Sequence, residues 1–436
     1  MSRDIRGAAV ALSGGADRYT PLLEMVADAR FVLLGEGSHG THEFYQARAD
    51  ITRRLISEKG FSAVAVEADW PDAYRVNRYV RREGDDISAS AALSGFRRFP
   101  TWMWRNTVVR DFVDWLRDFN ATRSDKLKVG FFGIDLYSLF SSIEAVVGYL
   151  DSVDADAAHR ARYRYGCFEH FGEDSQAYGY VASFDLSRSC EDSAINQLVE
   201  LQRRAIDYPI RGSGDDFFDA QQNARLVKNA EEYYRSMFRG QRSSWNLRDT
   251  HMAGTIDALV SYLERQGREP KIVVWAHNSH LGDARATEMG HKGELNVGQL
   301  VREKYGDAAV LVGFTTYTGT VTAASNWDEP GQKKHVQPAL PESYEGAFHA
   351  TGIPNFFLDL RNGAGDSPLF QEERLERAIG VIYRPETERV SHYFHASMPD
   401  QFDAVYHFDE TRAVEPLEKP ERWNHLEPPE TFPSGI

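Results

Sequence analysis

The chain reads Phe31-Val32-Leu33-Leu34-Gly35-Glu36-Gly37-Ser38-His39-Gly40 near its start, where four apolar residues run into a glycine-rich turn that carries an acid and a histidine. A short apolar run bounded by turn residues is typical of a buried strand in a parallel sheet. Three further runs, at 61–66, 129–134 and 272–275, end in the same way, and the polar residues that follow them are Glu67, Asp135, His277 and His280.

These polar residues are predicted to meet at one edge of a sheet. Parallel strands run in the same direction, so their carboxyl ends lie together, and open parallel sheets bind ligands at that edge. Strand and helix patterns alternate between residues 30 and 150, which indicates an α/β fold with a largely parallel central sheet flanked by helices. The side chains expected to converge are Glu36, His39, Glu67, Asp135, His277 and His280.

The chain divides into four predicted segments. Residues 1–150 form the first part of the α/β core, and residues 151–242 carry helical periodicity, which predicts an inserted helical subdomain that acts as a lid. Residues 243–415 form the second part of the core, with strands expected at 309–314, 356–358 and 379–382. The segment 416–436 is rich in Pro and Glu and is predicted to be an extended tail.

Composition restricts the partners. The net charge of −15 over 436 residues repels nucleic acid and anionic membrane surfaces, so a small-molecule substrate is expected. The charged start of the chain lacks a signal-peptide pattern and no run is long enough to span a membrane, which predicts a cytoplasmic protein of undetermined oligomeric state. The two cysteines, Cys167 and Cys190, are expected to be buried thiols.

The turn 35–40 fits G-x-G-x-x-G and is followed by acidic Glu67, as an NAD(P)-binding oxidoreductase would require. Two features count against a dinucleotide. The Glu36 carboxylate and the His39 ring would occupy the position where the fold normally offers bare backbone N–H groups to a pyrophosphate. A serine nucleophile at Ser38 is disfavoured as well, because the elbow G-x-S-x-G needs glycine where this chain has Glu36.

General acid–base catalysis with water as the nucleophile remains. A neutral histidine accepts a proton from water when a carboxylate fixes its tautomer, and His39 with Glu36 or Glu67 supplies such a pair. Either His277 or His280 would then serve as donor to the developing oxyanion or leaving group. Arg48, on the helix that follows the turn, would hold one of the carboxylates ionised.

A metal-dependent hydrolase is an alternative that uses the same residues. The pair His277 and His280 with Glu67 or Glu36 offers nitrogen and oxygen ligands suited to zinc, although no H-E-x-x-H motif is present. The metal-free base is the preferred hypothesis, so no cofactor is expected. A catalytically silent binding protein is a third class, which would hold a ligand in the same cleft without turning it over.

Further residues are expected to bind the substrate. The helix that leads into the strand at 272–275 runs antiparallel to it, which brings Arg248 and His251 to the carboxyl edge. Asp135 follows a strand directly, and Trp70 and Trp104 lie near the same edge, where aromatic walls are common in ligand sites.

Several ordered motifs together resemble the erythromycin esterase family, from about residue 30 to about residue 415. They are Leu34-Gly35-Glu36-Gly37-Ser38-His39-Gly40-Thr41, Val66-Glu67-Ala68-Asp69-Trp70, Phe99-Pro100-Thr101-Trp102-Met103-Trp104-Arg105-Asn106, Asn246-Leu247-Arg248-Asp249 and Trp275-Ala276-His277-Asn278-Ser279-His280. The resemblance implies metal-free hydrolysis of a macrolide's lactone ester on an α/β core with a helical lid. It implies His39 as base, Glu36 and Glu67 as its carboxylate partners, Arg48 as an orienting charge, and His277 and His280 as supporting groups.

Overall fold

The computed structural model describes residues 2–12, 14–171, 174–184, 189–211, 213–238, 241–364 and 367–418. Its strands are β1 Val10–Ala11, β2 Phe31–Leu34, β3 Ala63–Asp69, β4 Gly130–Asp135, β5 Ile272–Trp275, β6 Ala309–Ala323, β7 Gln332–Val336, β8 Asn355–Asp359, β9 Arg374–Arg377, β10 Tyr393–Ala396 and β11 Ala404–Thr411.

A nine-stranded sheet forms the centre of the described chain, in the order β1-β8-β11-β6-β2-β5-β3-β4, with β7 paired to β6. The strands from β11 to β4 are all parallel to their neighbours, and β8, β1 and β7 are added in antiparallel pairs. Strands β9 and β10 make a separate antiparallel pair. The prediction of a largely parallel sheet is confirmed, and the four short apolar runs are its strands β2 to β5.

Helices cover the sheet. They are α1 Ser2–Ala8, α2 Thr20–Val26, α3 His42–Lys59, α4 Trp70–Arg81, α5 Ala89–Leu93, α6 Thr107–Asn120, α7 Leu139–Val153, α8 Ala155–Tyr165, α9 Ser175–Phe184, α10 Glu191–Arg203, α11 Tyr208–Arg211, α12 Gly214–Met237, α13 Gln241–Arg265, α14 Asn278–Leu281, α15 Glu288–His291, α16 Val297–Tyr305, α17 Tyr344–His349, α18 Glu388–Ser391 and α19 Met398–Gln401. None of these described helices is long and apolar enough to cross a bilayer.

Alternate residues of each strand enter different cores because successive side chains point to opposite faces of a sheet. Phe31 and Leu33 pack with helices α7 to α13 in one cluster. Val32 and Leu34 pack with α2, α3 and α6 in the other. All four side chains are fully buried, which explains why a run without polar alternation marks this strand.

The strand register aligns the carboxyl ends of β2, β3 and β5. Leu34, the last residue of β2, lies opposite Trp275 of β5 and Val312 of β6. Val66 of β3 also lies opposite Trp275. The residues that follow Leu34, Val66 and Trp275 therefore leave the sheet side by side.

The described residues between α7 and α13 form helices and short connections without a strand. Their apolar side chains pack against one face of the sheet together with α7 and α13. Since α13 continues without a break into the region assigned to the second part of the core, the division at residue 242 stays a prediction.

Two sequence expectations are wrong. Cys167 and Cys190 are not free thiols but form a disulfide, because the packing of α8 beside α10 brings their Cα atoms to 6.0 Å, within the usual range for such a bond. Residues 379–382 are not a strand. They make single bridges, Ile379 to Ser38 and Ile382 to Ala324, as the chain crosses from one loop to the next.

The predicted tail lies mostly outside the described residues. Pro416 pairs with Asn106, and the N–H of Leu417 donates to the carbonyl oxygen of Arg105 at 2.9 Å. Residues 419–436 are outside the part of the chain that the structure describes.

Candidate active site

The loops after β2 and β5 are bonded directly to each other. The N–H of Asn278 donates to the carbonyl oxygen of Glu36 at 2.8 Å, and the side chain of Asn278 donates to the carbonyl oxygen of Phe314 in β6 at 3.0 Å. The rings of His39 and His277 consequently lie with their centroids 4.8 Å apart. The structure therefore brings together imidazoles that are more than two hundred residues apart in the chain.

The carboxylate of Glu36 connects His39 to Arg48. One oxygen, Oε1, lies 3.0 Å from Nδ1 of His39, and the other accepts from Nη2 of Arg48 at 2.7 Å. Because a carboxylate accepts hydrogen bonds, Nδ1 of His39 carries the proton and Nε2 keeps its lone pair. Glu36 and Arg48 are buried, at 1% and 0% exposure, whereas His39 lines a cavity.

Aromatic rings compensate the rest of the Arg48 charge. The guanidinium carbon lies 4.4 Å from the ring centre of Tyr45 and 5.3 Å from that of Trp275, within the range of cation–π attraction. The hydroxyl of Tyr45 also donates to the carbonyl oxygen of His39 at 2.8 Å. This packing fixes both the backbone of the turn and the charge behind it.

Glu67, the second acid, contacts residues other than His39. Its Oε1 accepts from Nη2 of Arg248 at 2.8 Å and lies 3.2 Å from Nε2 of His280, while Oε2 accepts from the N–H of His277 at 2.9 Å. Burial opposes its charge, yet His280 above all, followed by His39 and Arg248, holds the pKa of Glu67 well below its usual range. Of the two carboxylates predicted to orient His39, the structure pairs it with Glu36, and Glu67 organises the neighbouring charges.

His280 is held as an imidazolium. Its Nδ1 lies 2.9 Å from Oδ1 of Asp249, and its ring stacks on Trp245 with centroids 4.5 Å apart. Burial disfavours the charged ring, but Asp249 and Glu67 raise the pKa of His280 to about 9. With both nitrogens bonded to carboxylates, His280 serves as a fixed positive charge rather than as a proton carrier.

His277 has the opposite character. The N–H of Ser279 donates to Nδ1 of His277 at 3.2 Å, so Nδ1 is the acceptor and the proton resides on Nε2. Burial lowers the pKa of His277 well below its ordinary range, and a proton on His39 lowers it further. Its Nε2 is buried and makes no hydrogen bond of normal geometry with a described residue, although a contact with the backbone of Gly37 favours the protonated ring. His277 is therefore a neutral N–H donor beside the ring of His39.

A cavity of about 450 Å³ lies over these groups, within the range of small-molecule sites. Its polar floor includes His39, Glu67, His277 and His280. Its walls include charged side chains, among them Asp69, Asp72, Arg98 and Arg384, and six aromatic residues, Phe96, Phe99, Trp104, Tyr137, Trp245 and Trp327. Aromatic surface beside convergent polar groups is common in sites that bind small organic molecules.

Three of the five predicted substrate-binding residues line this cavity. Trp104 does so while its Nε1 donates to the carbonyl oxygen of Glu67 at 3.1 Å. Arg248 donates two hydrogen bonds to the carboxylate of Asp135, at 3.0 and 2.6 Å, and both residues line the cavity. Their places follow from the strand and helix directions.

Trp70 and His251 do not line the cavity, which corrects the sequence expectation. Trp70 begins α4 and points at α12, where its Nε1 donates to Asp219 at 2.8 Å. His251 lies on α13 but faces α12, and its Nδ1 is 2.8 Å from the Asn229 amide. Both side chains are core residues at the seam between these helices and the rest of the protein.

The lid role of residues 151–242 stays a prediction. None of the described residues in 151–242 lines the cavity. Residues 96–104 and 380–392 cover it instead. The apolar faces of the helical segment pack on the sheet, and two of its tyrosines contact Tyr137 of the cavity wall. The ring of Tyr233 lies 5.4 Å from that of Tyr137, and the hydroxyl of Tyr234 donates to the carbonyl oxygen of Tyr137 at 3.1 Å.

Sequence reasoning missed several polar residues of the cavity wall, among them Asp72 and His392. Asp72, one turn after Asp69 on α4, forms no hydrogen bond or ion pair with a described residue, and burial followed by the charge of Asp69 raises its pKa to about 7. His392 lies in an irregular stretch after α18. Asp72 could have been predicted, because it lies in the first turn of the helix that follows strand β3. No sequence pattern indicates His392.

The glycines of the turn 35–40 make room for protein rather than for a phosphate. A Cβ on Gly35 would meet the Asn278 side chain at 2.2 Å, and one on Gly40 would meet the Thr322 carbonyl oxygen at 1.9 Å. Close packing against β6 thus accounts for the G-x-G-x-x-G spacing, and nothing in the geometry favours a dinucleotide.

The zinc alternative gains no support from the arrangement of donors. The described residues include no group of three or more His, Cys, Asp or Glu side chains placed to hold a metal ion. Both ring nitrogens of His280 are used by carboxylates, and both oxygens of Glu67 accept hydrogen bonds.

The fold and this site define an α/β protein with a buried carboxylate–histidine pair in an apolar cleft, an arrangement suited to hydrolysis. The erythromycin esterase family model matches residues 56–411, and the chain belongs to that family of ester hydrolases. The matched range begins after Glu36, His39 and Arg48, so the arrangement of these three residues is known from the geometry described above.

Individual relatives agree with this assignment. Erythromycin esterase type II of Escherichia coli is 24% identical over 403 residues, which cover 86% of this chain and 93% of that protein. A solved structure described as a succinoglycan biosynthesis protein has a TM-score of 0.78 at 20% identity, covering 96% of this chain and 98% of that one. A mutant of the erythromycin esterase EreC in its open conformation has a TM-score of 0.68 at 17% identity, covering 93% and 97%. The two structures show that the fold is shared.

Proposed function

We propose that this protein hydrolyses the ester bond of a macrolide-type lactone with a water molecule activated by His39. The observation that carries the proposal is the buried series Arg48–Glu36–His39, with contacts of 2.7 and 3.0 Å. It fixes Nδ1 as the protonated nitrogen and leaves Nε2 to take a proton from water. When Nε2 is protonated, the carboxylate of Glu36 stabilises the imidazolium.

His277 supplies the electrostatic part of the proposed mechanism. Attack of water on an ester carbonyl places negative charge on the carbonyl oxygen, and a preorganised N–H donor stabilises that charge. We assign this role to the Nε2–H of His277, on a ring that lines the cavity 4.8 Å from that of His39. Collapse of the tetrahedral intermediate then breaks the bond to the alcohol, which receives the proton held by His39.

The remaining charges hold the geometry. Arg248, His280, Glu67, Asp135 and Asp249 form a buried network of opposite charges under one side of the cavity. Because Glu67 also accepts from the backbone of His277, this network fixes the position of the proposed oxyanion donor. We assign these five residues to positioning rather than to proton transfer.

The macrolide is proposed from the relatives and the cavity together. The curated relative named above is an erythromycin esterase, and the cavity offers broad aromatic walls to an apolar ring. A cytoplasmic location, the absence of nucleic-acid partners and the helical segment 151–242 as a separate subdomain remain predictions from the sequence.

The test is incubation with erythromycin in ¹⁸O-labelled water, followed by mass spectrometry. The proposal predicts a product that has gained one water, with a single ¹⁸O in the new carboxylate. The variant Ser38→Ala should retain turnover, because Ser38 is a turn residue whose hydroxyl pairs with that of Thr41. If the native protein hydrolyses neither erythromycin nor any of a panel of other lactones, the proposed function is wrong.

A further inference from the structure

His392 lies in the wall of the cavity that His39 also lines. It follows α18 and precedes β10, is 7% exposed, and lines the cavity. The N–H of Ala378 donates to the carbonyl oxygen of His392 at 2.9 Å, and the N–H of His39 donates to the carbonyl oxygen of Ile379 at 3.2 Å. The extended pair 378–379 therefore bonds to His392 on one side and to His39 on the other.

The tautomer of His392 is set by its backbone contact. Its Nδ1 lies 3.2 Å from the carbonyl oxygen of Ala378, and a carbonyl oxygen only accepts, so Nδ1 carries the proton. The lone pair on Nε2 is left without a donor among the described residues. Burial lowers the pKa of His392 to about 4, so the ring stays neutral and Nε2 stays an acceptor at neutral pH. The ring of Tyr383, 5.3 Å away, packs against it.

The charged neighbours of His392 are already engaged. Glu388 accepts from Nη1 of Arg377 at 3.1 Å and from the hydroxyl of Tyr393 at 3.2 Å. Arg384 donates from Nε to the carbonyl oxygen of Ser325 at 2.8 Å, and its Nη2 donates to Asn326. The acceptor Nε2 is thus free to meet what enters the cavity.

We propose that Nε2 of His392 accepts a hydrogen bond from a hydroxyl group of the substrate, which makes this position a determinant of specificity for hydroxyl-bearing esters. The inference rests on the proposed function and adds a substrate class to it. A neutral acceptor in an aromatic wall matches a neutral O–H donor, whereas a cationic group is better matched by the Asp72 carboxylate in the same cavity. A site built to bond a hydroxyl discriminates against the analogue that lacks it, because its own acceptor is then left unpaired.

The kinetic test compares native protein with His392→Phe, which keeps an aromatic ring but removes the acceptor. The probes are erythromycin and its analogues that each lack one hydroxyl. For native protein, one analogue should lose about tenfold in kcat/KM, the loss expected for one hydrogen bond. His392→Phe should lose the same factor on erythromycin and should no longer distinguish that analogue. The matched control is His395→Phe, an exposed histidine three residues later, which should behave like native protein.

Two kinetic results would overturn the proposal. One is a His392→Phe variant that keeps the native discrimination between the probes. The other is a variant that slows every probe by the same factor, since that would indicate a structural role.

An NMR measurement on native protein needs no turnover and separates this proposal from the esterase proposal. Nε2 of His392 should appear as a non-protonated nitrogen in a long-range ¹H–¹⁵N spectrum, and its ¹⁵N resonance should shift when erythromycin is added. A shift without hydrolysis would support the hydroxyl subsite and count against the esterase. A protonated Nε2, or a resonance that does not move at saturating erythromycin, would contradict the subsite.

Discussion

Replacing Glu36 by Gln tests the Arg48–Glu36–His39 series through the tautomer of His39. Arg48 can only donate, so in Glu36→Gln it retains the amide oxygen, and the amide NH₂ turns toward Nδ1 of His39. Nδ1 must then accept, which moves the proton to Nε2 and removes the lone pair that takes a proton from water. We expect kcat for erythromycin hydrolysis to fall about 10²–10⁴-fold, or about 3–5 kcal/mol of barrier, with KM little changed.

The same substitution leaves the Arg48 charge buried without its anion, which costs on the order of 3–5 kcal/mol of stability. Chemical denaturation of native protein and variant measures this cost separately from activity. The matched control is Glu43→Gln, whose carboxylate pairs with the exposed Arg412. This change should leave both kcat and the free energy of unfolding nearly unaltered.

The double variant Glu36→Gln with Arg48→Met gives the sharpest result. Without Arg48 the glutamine oxygen is free to accept from Nδ1 of His39, so the productive tautomer returns. The double variant should therefore be both more stable and about tenfold more active than Glu36→Gln alone. A Glu36→Gln variant within about threefold of native kcat, or a double variant no more active than the single one, would refute the tautomer argument.

Three further outcomes are expected. His277→Asn should lower kcat about 10- to 100-fold with the fold intact, measured by steady-state kinetics and circular dichroism, because it removes one oxyanion donor; an unchanged kcat would exclude that role. The pKa of His280 is raised from 6.5 to about 9, so its contribution to stability is complete below pH 6.5 and is lost as the pH rises through 9. Denaturation between pH 6 and 10 should show this loss in native protein but not in His280→Asn. Incubation with a chelator should leave hydrolysis unchanged, whereas a loss that added zinc restores would support the metal alternative.

The sheet was predictable because its central strands are buried on both faces. Such strands need apolar residues at every position, so runs such as 31–34 and 272–275 stand out from the helices around them. Parallel direction then places Glu36, Glu67 and His277 at one edge, and the register confirms that placement. The pairing of charges within that edge was not predictable, because it depends on side-chain distances that no spacing encodes.

The errors have a common physical origin. Trp70 and His251 follow the predicted edge in sequence, but the rotation of a helix turns their side chains toward α12. The lid role of residues 151–242 stays a prediction, because helical periodicity does not specify which part of the sheet a helix covers. His392 could not be predicted, because it lies in an irregular segment. The position of such a segment depends on single bridges, such as that between Ile379 and Ser38.

The most direct measurement is single-turnover hydrolysis of erythromycin by His39→Asn under conditions where native protein completes the reaction. Asparagine can still bond to Glu36 but has no nitrogen that takes a proton from water. We expect the rate of lactone opening to fall by about 100-fold or more, with binding of erythromycin retained. Ring opening at the native rate would show that water is activated elsewhere.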